Sequence, residues 1–543
     1  MENDIVICAA ATLELVGKKA DIYLIEIAEI GDAEKFEDAI EKEEKNEKII
    51  TKVLKKLKSR IKLWHDADRK GYATFRVEKH QESWPIDSKT FRDYIEHFVF
   101  KNPGLKIGAL GKTLLDEICN CLSAQAKFEG SEFKIHKRVA KFEDRYYIDL
   151  CNSNWQLIEI DPNGWKILDK LPEKAVTSGN CTTFVPLFKF IRSANARPLP
   201  LPGGGGNYDD LFQLCNIPED DHMVVLAWIL ECFRPDTPYP VLEITGEQGS
   251  AKSTTQEVLR SFIDPNRVML RAKPKAVEDI YIAAYNSHLI SYENLSSLTP
   301  DMSDALCVIA TGGGFAARTL YTNLEETVLN AHAPIVLNGI NKVVIRPDLV
   351  DRAISIDLPN IENRISENQH YKMLEELAPS IFGGLLDLLV KTLKVLPSVY
   401  IDPTKLPRMA DFTKLGEAMS QAMGNPWGHF VDIYTRKRDD ASWDALEASP
   451  TANAILKLME AKIDADGDYE IKIFEGTVGE LLEKLKEKSE WDHRNFNDDS
   501  LPRNGKGLSN AIRRLSPVLR KVGIFCEFGA KTNRGNLIKI YSK

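Results

Sequence analysis

Residues 241–254 read VLEITGEQGSAKST and decide the fold at the centre of the chain. The stretch opens with a short apolar strand, and Gly246 and Gly249 then predict a tight turn. A helix is predicted to begin near Lys252. This order brings backbone N–H groups and the positive end of a helix dipole to one point, which is a site for phosphate groups.

The stretch matches the nucleotide-binding pattern GxxxxGK[ST] except at Ala251, where the pattern has glycine. Alanine keeps its N–H but restricts the turn. Lys252 is expected to reach the β- and γ-phosphates, and the Ser253 hydroxyl is expected to bind Mg²⁺. ATP and Mg²⁺ are therefore the expected cofactors, and the expected nucleotide-binding residues are Gly246, Glu247, Gln248, Gly249, Ser250, Ala251, Lys252, Ser253 and Thr254.

Two further apolar strands end in polar residues. Residues 288–292 lead into Glu293, which can organise the metal, the attacking water or both. Asn294 follows, where many ATPases carry a second carboxylate. Residues 334–337 lead into Asn338, whose amide can hold the attacking water or sense the γ-phosphate. The alternatives are a strand-capping glutamate and a plain Asn-Gly turn.

Two arginines, Arg346 and Arg352, stand just before a fourth apolar strand. An arginine that reaches into a neighbouring subunit's site can stabilise the charge of the transition state, an effect worth ~10³ or more in rate. The alternative is a surface salt bridge with Asp348 or Asp351. We therefore treat both arginines as candidate catalytic residues.

Residues 306–326 read LCVIATGGGFAARTLYTNLEE. With the preceding motifs, the chain resembles superfamily 3 helicases, the AAA+ ATPases of small viruses, phages and plasmid-like elements. The resemblance is strongest to the helicase half of phage and poxvirus-type primase-helicases. That family typically shows a Thr-Gly-Gly turn, an arginine and a Leu-Tyr pair. This chain matches them with 311–313, Arg318 and 320–321.

The resemblance implies a role for several residues. Glu293 would be the Walker B acid, Asn338 the sensor of motif C, and Arg352, ahead of Arg346, the finger. The family's DNA-contacting hairpin would bring Arg318 to the DNA. Arg318 and Tyr321 also offer a phosphate contact and a stacking face for single-stranded DNA. The alternative is a structural glycine turn with a core tyrosine. The resemblance covers residues 238–359 well and the remainder only loosely.

The predicted fold class is α/β, with an AAA+ P-loop core of parallel sheet and flanking helices, an N-terminal α+β accessory region and a C-terminal winged helix. Residues 32–64 predict one long amphipathic helix, and 197–207 an exposed linker. The predicted segments are a mostly helical accessory region (1–130), a small β-rich unit with a Pro/Gly linker (131–206), the ATPase core with preceding helices (207–360), a helical segment (361–440) and a basic winged-helix-like domain (441–543).

Charge is unevenly distributed along the 543 residues. The formal net charge is −9, yet residues 501–543 hold ten Lys or Arg and one acid, Glu527, so this tail carries 10 − 1 = +9 and the rest carries −18. A protein that coats DNA with its whole surface is usually basic. Any nucleic acid must therefore meet a local basic surface or an internal channel.

Four basic residues of the tail form two pairs, seven residues apart, and can share one helix face as DNA-binding residues. Pro517 lies between the pairs and can split that helix in two. The alternative is a solvated basic face. The four residues are Arg513, Arg514, Arg520 and Lys521.

The expected function is a ring-forming, hexameric, ATP-dependent DNA helicase or translocase that acts in replication of a phage, plasmid or other mobile element. The expected partners are single-stranded DNA, duplex DNA and a separate primase. A primase active site needs clustered acids for two metals, and Asp66 with Asp68 is the only Asp-x-Asp pair before Gly203, so we expect that this chain makes no primers itself. No apolar run approaches the ~20 residues of a membrane span, so we expect a cytoplasmic protein. The alternative is a nucleotide-switched assembly protein, such as an antiviral defence factor, that does not unwind DNA. Asn294 favours this alternative.

Overall fold

The computed structural model describes residues 49–105, 109–178, 181–318, 326–361, 364–447, 449–459, 473–490, 501–532 and 535–542. The chain divides into two compact units. The first comprises the described residues up to His136 together with Leu171–Ile191. The second comprises Lys137–Lys170 and Arg192–Lys543.

The first unit contains a four-stranded sheet in the order β3-β2-β1-β4. Neighbouring strands are antiparallel except β4, which runs parallel to β1. Two short strand pairs, β5 with β12 and β10 with β11, complete its β structure. The strands are β1 (Ile61–His65), β2 (Gly71–Val77), β3 (His80–Pro85), β4 (Ser131–Glu132), β5 (Ile135–His136), β10 (Glu173–Ser178), β11 (Cys181–Pro186) and β12 (Lys189–Phe190), and the helices are α1 (49–57), α2 (Lys89–Phe100) and α3 (Lys112–Glu129).

The single helix predicted over 32–64 was wrong in its described part, because the chain leaves the helix before residue 61. Helix α1 ends at residue 57, and 61–65 form a strand. Ile61 follows Leu57 at a helical spacing, but Ile61 and Leu63 also alternate with exposed Lys62. Pairing of β1 with β2 decides between the two patterns. Residues 32–48 lie outside the described part of the chain.

The second unit begins with an antiparallel sheet in the order β6-β7-β8-β9. Buried ion pairs hold it in place: Arg192 binds both carboxylate oxygens of Asp149, and Arg138 binds Asp264 at 2.9 Å. Asp264 also accepts hydrogen bonds from the backbone N–H groups of His288 and Leu289, which directly precede a strand of the parallel sheet described next. The strands are β6 (Val139–Phe142), β7 (Arg145–Asp149), β8 (Leu157–Asp161) and β9 (Gly164–Leu168).

A four-stranded parallel sheet in the order β14-β17-β13-β18 forms the centre of this unit. Leu242 and Ile244 join one apolar cluster, whereas Val241 joins a second. A parallel sheet covered on both faces has nearly continuous apolar strands, as found here. The mixed α/β fold with a parallel sheet is therefore confirmed. The strands are β13 (Val241–Gly246), β14 (Ile290–Tyr292), β17 (Ile335–Asn338) and β18 (Ala353–Leu358).

Helices flank this sheet and continue beyond it. A hairpin of β15 (Gly313–Arg318) and β16 (Glu326–Ala331) is inserted between two of the sheet strands. The helices are α4 (Leu211–Leu214), α5 (Glu219–Glu231), α6 (Lys252–Ile263), α7 (Val277–Asn286), α8 (Pro300–Thr311), α9 (Pro347–Val350), α10 (Glu367–Val395), α11 (Ala410–Ala422) and α12 (His429–Glu447).

The Pro/Gly stretch at 197–207 lies within the second unit, and Gly203 and Gly206 pack on α10. Gly203 N donates to Pro379 O at 2.8 Å. A Cβ on Gly206 would lie 1.9 Å from Ser380 O, so only glycine allows the two backbones to come this close. The stretch is an irregular loop in which most residues are exposed, and the two units divide just before it, between residues 191 and 192.

The C-terminal part of the second unit joins three helices to a three-stranded antiparallel sheet in the order β19-β21-β20. The basic helix α15 is continuous through Pro517, so the proline does not split it. Pro517 itself is exposed. The elements are α13 (Pro450–Met459), β19 (Ile473–Thr477), α14 (Val478–Glu490), α15 (Gly505–Lys521), β20 (Ile524–Thr532) and β21 (Gly535–Ser542).

In the described ranges, none of the helices has the length and apolar character needed to cross a membrane.

Candidate functional site

The loop between β13 and α6, which we call the phosphate loop, has a backbone geometry that suits an anion. Gly246 has φ 143°, and a Cβ there would lie 2.7 Å from both Leu358 O and Ser250 Oγ. Gly249 also has a positive φ, 91°. Helix α6 begins at Lys252 without a side-chain cap, so its first N–H groups are left for the loop or a ligand.

Ala251 adopts the left-handed conformation that the pattern's glycine would favour. It is the N-cap of α6, with φ 59° and ψ 30°. This conformation costs an L-residue roughly 1–2 kcal/mol. The loop therefore keeps the backbone path of a glycine while carrying an alanine.

The Lys252 ammonium lies inside the curve of the loop. Its Nζ donates to Gly246 O at 2.7 Å, to Glu247 O at 2.6 Å and to Ser250 Oγ at 3.3 Å. Burial lowers the pKa of Lys252, and the nearby Asp357 carboxylate acts in the opposite direction. The loop's own oxygens thus hold the cation where a phosphate chain would pass.

The Ser253 hydroxyl and the Glu293 carboxylate lie close together. Ser253 Oγ lies 3.3 Å from Glu293 Oε2, although 40 residues separate the two in sequence. Helix α6 supplies the serine, and the end of β14 supplies the glutamate. Hydroxyl and carboxylate oxygens suit a hard cation such as Mg²⁺, so these two residues fit the expected metal.

Asn338 ends β17, which lies between β13 and β14 in the sheet. It is therefore placed between the loop that follows β13 and Glu293, which follows β14. Its side chain is fully buried. Asn338 Nδ2 donates to Gln256 Oε1 at 2.7 Å, and Asn338 Oδ1 accepts from the backbone N–H of Asn294 at 2.8 Å. Asn294 itself has φ 52°. The amide that the sequence placed beside the nucleotide therefore already has protein partners on both of its ends.

Sequence reasoning missed the segment after β18, which lies against the loop. Arg364 Nη2 is 2.6 Å from the position a Cβ on Gly249 would take. Asn360 Nδ2 donates to Glu247 Oε2 at 2.7 Å. Polar residues just past the carboxyl end of a parallel strand are the signal that could have found them, since ligands bind at that edge.

Asn216 was also missed. Its Nδ2 donates to Ser250 O at 3.1 Å and to Pro359 O at 2.6 Å. The side chain thereby ties the loop to the segment after β18. No motif marks this position in the sequence.

Arg352 lies at the end of the sheet opposite the loop that follows β13. Val241 N donates to Arg352 O, whereas the phosphate loop starts at Gly246, five residues on and about 17 Å away along the strand. Arg352 donates to the backbone oxygen of Asp348, and Arg346 pairs with Asp304 at 3.0 Å. Neither makes the side-chain salt bridge with Asp348 or Asp351 that was the alternative. Neither is brought to its own chain's loop.

Arg318 is the last described residue of β15 and pairs in register with Glu326 across the hairpin. Tyr321 lies outside the described residues. The family resemblance implies a hairpin at this place, and β15 and β16 form an antiparallel pair there.

The four basic residues of α15 are exposed and share one helix face, because seven residues make nearly two full turns. The Arg513 guanidinium lies 3.9 Å from the centre of the Phe528 ring. Lys521 pairs with Asp439 at 3.0 Å. Arg514 and Arg520 have no such contact among the described residues. This face and the phosphate loop form two separate groups of candidate residues.

Comparison with known proteins places two parts of the chain. Residues 208–442 match the family model described as actinomycete integrative conjugative element replication protein, and residues 451–543 match that of the RepA C-terminal domain of the same elements. No protein of curated function matches the chain.

Two solved structures are similar over most of the chain. One is SCCmec type IV Cch, described as an active helicase, with 12% identity, a TM-score of 0.44, and 88% of this chain and 93% of that chain covered. The other is the apo A form of the NrS-1 C-terminal region, with 13% identity, a TM-score of 0.38, and coverage of 91% and 99%. Likenesses of this strength establish no activity for this chain. What the family models show is that residues 208–442 and 451–543 are similar to replication proteins of integrative conjugative elements.

Proposed function

We propose that this chain is a superfamily 3-like AAA+ ATPase that couples ATP hydrolysis to movement along DNA during replication of a mobile element. The observation that carries the proposal is the convergence, at one edge of the parallel sheet, of Lys252, the Ser253–Glu293 pair and Asn338. The match of residues 208–442 to a replication-protein model supports the biological setting.

Each of these residues has a chemical role in the proposal. Lys252 neutralises phosphate charge, and the loop N–H groups from Gly246 to Thr254 bind phosphate oxygens. Ser253 and Glu293 would hold Mg²⁺, which when bound offsets the negative charge that develops on the phosphates. Glu293 also lies where it can orient the attacking water.

The position of Arg352 supports the proposed assembly into a ring, expected to be a hexamer. An arginine about 17 Å along the strand from its own loop cannot serve that loop, but it can serve the loop of a neighbouring subunit. Arg352 is the proposed finger, and Arg346 is the second candidate because Asp304 already neutralises it.

DNA would be held at two places. The β15–β16 hairpin would contact single-stranded DNA through Arg318, the last residue of β15, and through Tyr321, which follows it in the sequence. The C-terminal order of helix, strand, two helices and two strands supports a winged helix whose exposed α15 face contacts duplex phosphates. Primer synthesis would be left to a separate primase.

The test is unwinding of a forked duplex by the purified chain with and without ATP. Lys252→Ala is the matched control, since it removes the cation from the phosphate loop. ATP-dependent strand separation that Lys252→Ala abolishes is expected. ATP hydrolysis with no unwinding of any fork would instead favour the nucleotide-switched assembly protein, which the presence of Asn294 in place of a second carboxylate supports.

A further inference from the structure

We propose that Gln256 is a positioning residue that fixes the orientation of the Asn338 amide, and that Asn338 in turn acts on hydrolysis through the backbone after Glu293 instead of by touching the nucleotide. The inference rests on the proposed ATPase function of the same site. It assigns a role to a residue outside the sequence motifs.

The hydrogen bonds of Gln256 fix which way its amide points. Gln256 Nε2 donates to Ser291 Oγ at 2.7 Å and to Tyr292 O at 3.0 Å. A backbone carbonyl can only accept, so the nitrogen of the Gln256 amide must face β14. Its oxygen, Oε1, must therefore face Asn338.

The same logic fixes Asn338. Since Gln256 Oε1 can only accept, Asn338 must present its NH₂ group there, at 2.7 Å. Asn338 Oδ1 then faces the backbone N–H of Asn294, which can only donate, at 2.8 Å. The series of hydrogen bonds starts at the Tyr292 carbonyl, which only accepts, and ends at the Asn294 N–H, which only donates. Neither the Gln256 amide nor the Asn338 amide can therefore be flipped without losing hydrogen bonds.

The hydrogen bonds from Tyr292 O through Gln256 and Asn338 to the N–H of Asn294 form a series that we call the relay. Burial limits the relay to these partners. Gln256, Ser291 and Asn338 are all fully buried. Buried amides that satisfy one another in this way rigidify their surroundings, and a lost partner leaves a polar group unpaired. Gln256 lies one helical turn after Lys252 on α6, so the relay links the phosphate helix to the end of β14.

The relay ends at a left-handed turn beside the proposed catalytic acid. Asn294 directly follows Glu293 and has φ 52°, a conformation that asparagine adopts more readily than most other residues. The bond from its N–H to Asn338 helps to hold this turn. The turn places the Glu293 carboxylate 3.3 Å from Ser253 Oγ. Loss of the relay would let Glu293 move from that position.

The first test compares Gln256→Met, Asn338→Ala and the double variant in steady-state ATPase assays. Each single variant is expected to lower kcat by about tenfold or more while KM for ATP and the affinity for ADP stay within about twofold, because positioning acts on the transition state. The double variant should be no slower than the slower single variant, since residues acting as a unit are not additive. ADP binding and thermal unfolding report whether each variant is folded.

Asn338→Asp separates the relay from direct contact with the nucleotide. A protonated aspartate has one donor and one acceptor, as the relay needs, and burial raises the pKa of a carboxyl group. Its kcat relative to wild type should therefore rise as the pH falls from 8 to 6, with ATP affinity equal to that of Asn338→Ala. This variant also carries the test if Gln256→Met does not fold.

Two results would overturn the relay. One is wild-type kcat in folded Gln256→Met alongside impaired Asn338→Ala. The other is weaker ATP binding by Asn338→Asp than by Asn338→Ala, as expected if the added charge faced the γ-phosphate. Failure of the proposed function looks different, because the wild-type chain would then hydrolyse no ATP, or would hydrolyse ATP without unwinding a forked duplex.

Discussion

The phosphate loop and the basic face of α15 both use cations, but in opposite ways. Lys252 is 8% exposed and is held by three oxygens of its own loop. Arg514 and Arg520 point into solvent. The first site depends on where one atom lies, whereas the second depends on how many charges share a face.

This difference predicts two kinds of response to substitution. Hydrogen bonds to charged groups in a buried site are worth about 1.5–3 kcal/mol each, so one change there is a large effect. An exposed cation contributes through counterion release, which is graded and depends on salt. Substitutions in the buried site should therefore have larger effects than substitutions on the exposed face of α15.

Arg352→Ala should show the largest effect, because a finger supplied in trans is worth about 10³ in hydrolysis rate. Mixing Arg352→Ala subunits with Lys252→Ala subunits should restore part of the ATPase activity, since some interfaces then pair an intact loop with an intact finger. Activity is measured across mixing ratios, with ring assembly followed by light scattering. Rings that show no recovery at any ratio would place the arginine outside the catalytic machinery.

Glu293→Gln should bind ATP but hydrolyse it about a hundredfold more slowly or worse, because the charge that positions metal or water is lost. Calorimetry measures binding, and phosphate release measures turnover. Glu278→Gln is the matched control, since Glu278 is an exposed glutamate on α7, outside the proposed site. Turnover close to wild type in Glu293→Gln would move the catalytic role to another residue.

Arg364→Ala should weaken ATP binding by about tenfold, because it removes one charge-assisted hydrogen bond to the phosphates. Arg364→Lys should keep part of that affinity, because the positive charge remains. Arg436→Ala, on the exposed side of α12, is the control for the loss of an arginine elsewhere. Equal affinities in all three variants would show that closeness to Gly249 has no part in nucleotide binding.

Neutralising Arg514 and Arg520 to Gln should lower the salt dependence of duplex binding by up to about 1.8 in slope, or about 0.9 for each lost phosphate contact. Lys391 and Lys394, exposed on α10, provide a control pair of the same charge. Fluorescence anisotropy at several salt concentrations gives the slope. An unchanged slope would mean that this face is only solvated.

Ala251→Gly should have the smallest effect, a gain of at most about 1 kcal/mol in the free energy of unfolding, because glycine adopts a positive φ without strain. Ala441→Gly, within α12, should instead destabilise by about 1 kcal/mol. Urea titration measures both. A loss of stability in Ala251→Gly would show that alanine at this position makes contacts worth more than the strain.

The central strands could be predicted because their apolar runs are long enough to be buried on both faces. Their order could not. Nothing in the sequence places β17 between β13 and β14, so the partners of Gln256, which lie 35, 36 and 82 residues away, were invisible. Asn338 was found as a strand-ending amide, but its contacts depend on that order.

Elsewhere the sequence was ambiguous for physical reasons. Ile61 fits a helix that continues from Leu57 and also a strand, and only pairing with β2 decides. The glycines of 197–207 indicate either freedom or close approach, and the partner backbone at Pro379 and Ser380 is far away in sequence. Arg364 belongs to no motif, so its position beside Gly249 could be seen only in three dimensions.

The interleaving of the two units determines how the gene can be dissected. A fragment that began at the Pro/Gly stretch would lack β6–β9 together with Arg138 and Arg192. Asp264 would then remain buried without its arginine, and removing one partner of such a pair costs about 3–5 kcal/mol. A minimal fragment for testing the proposed ATPase should therefore start at Lys137 and join Lys170 to Arg192 through a synthetic linker, leaving out the segment that belongs to the first unit.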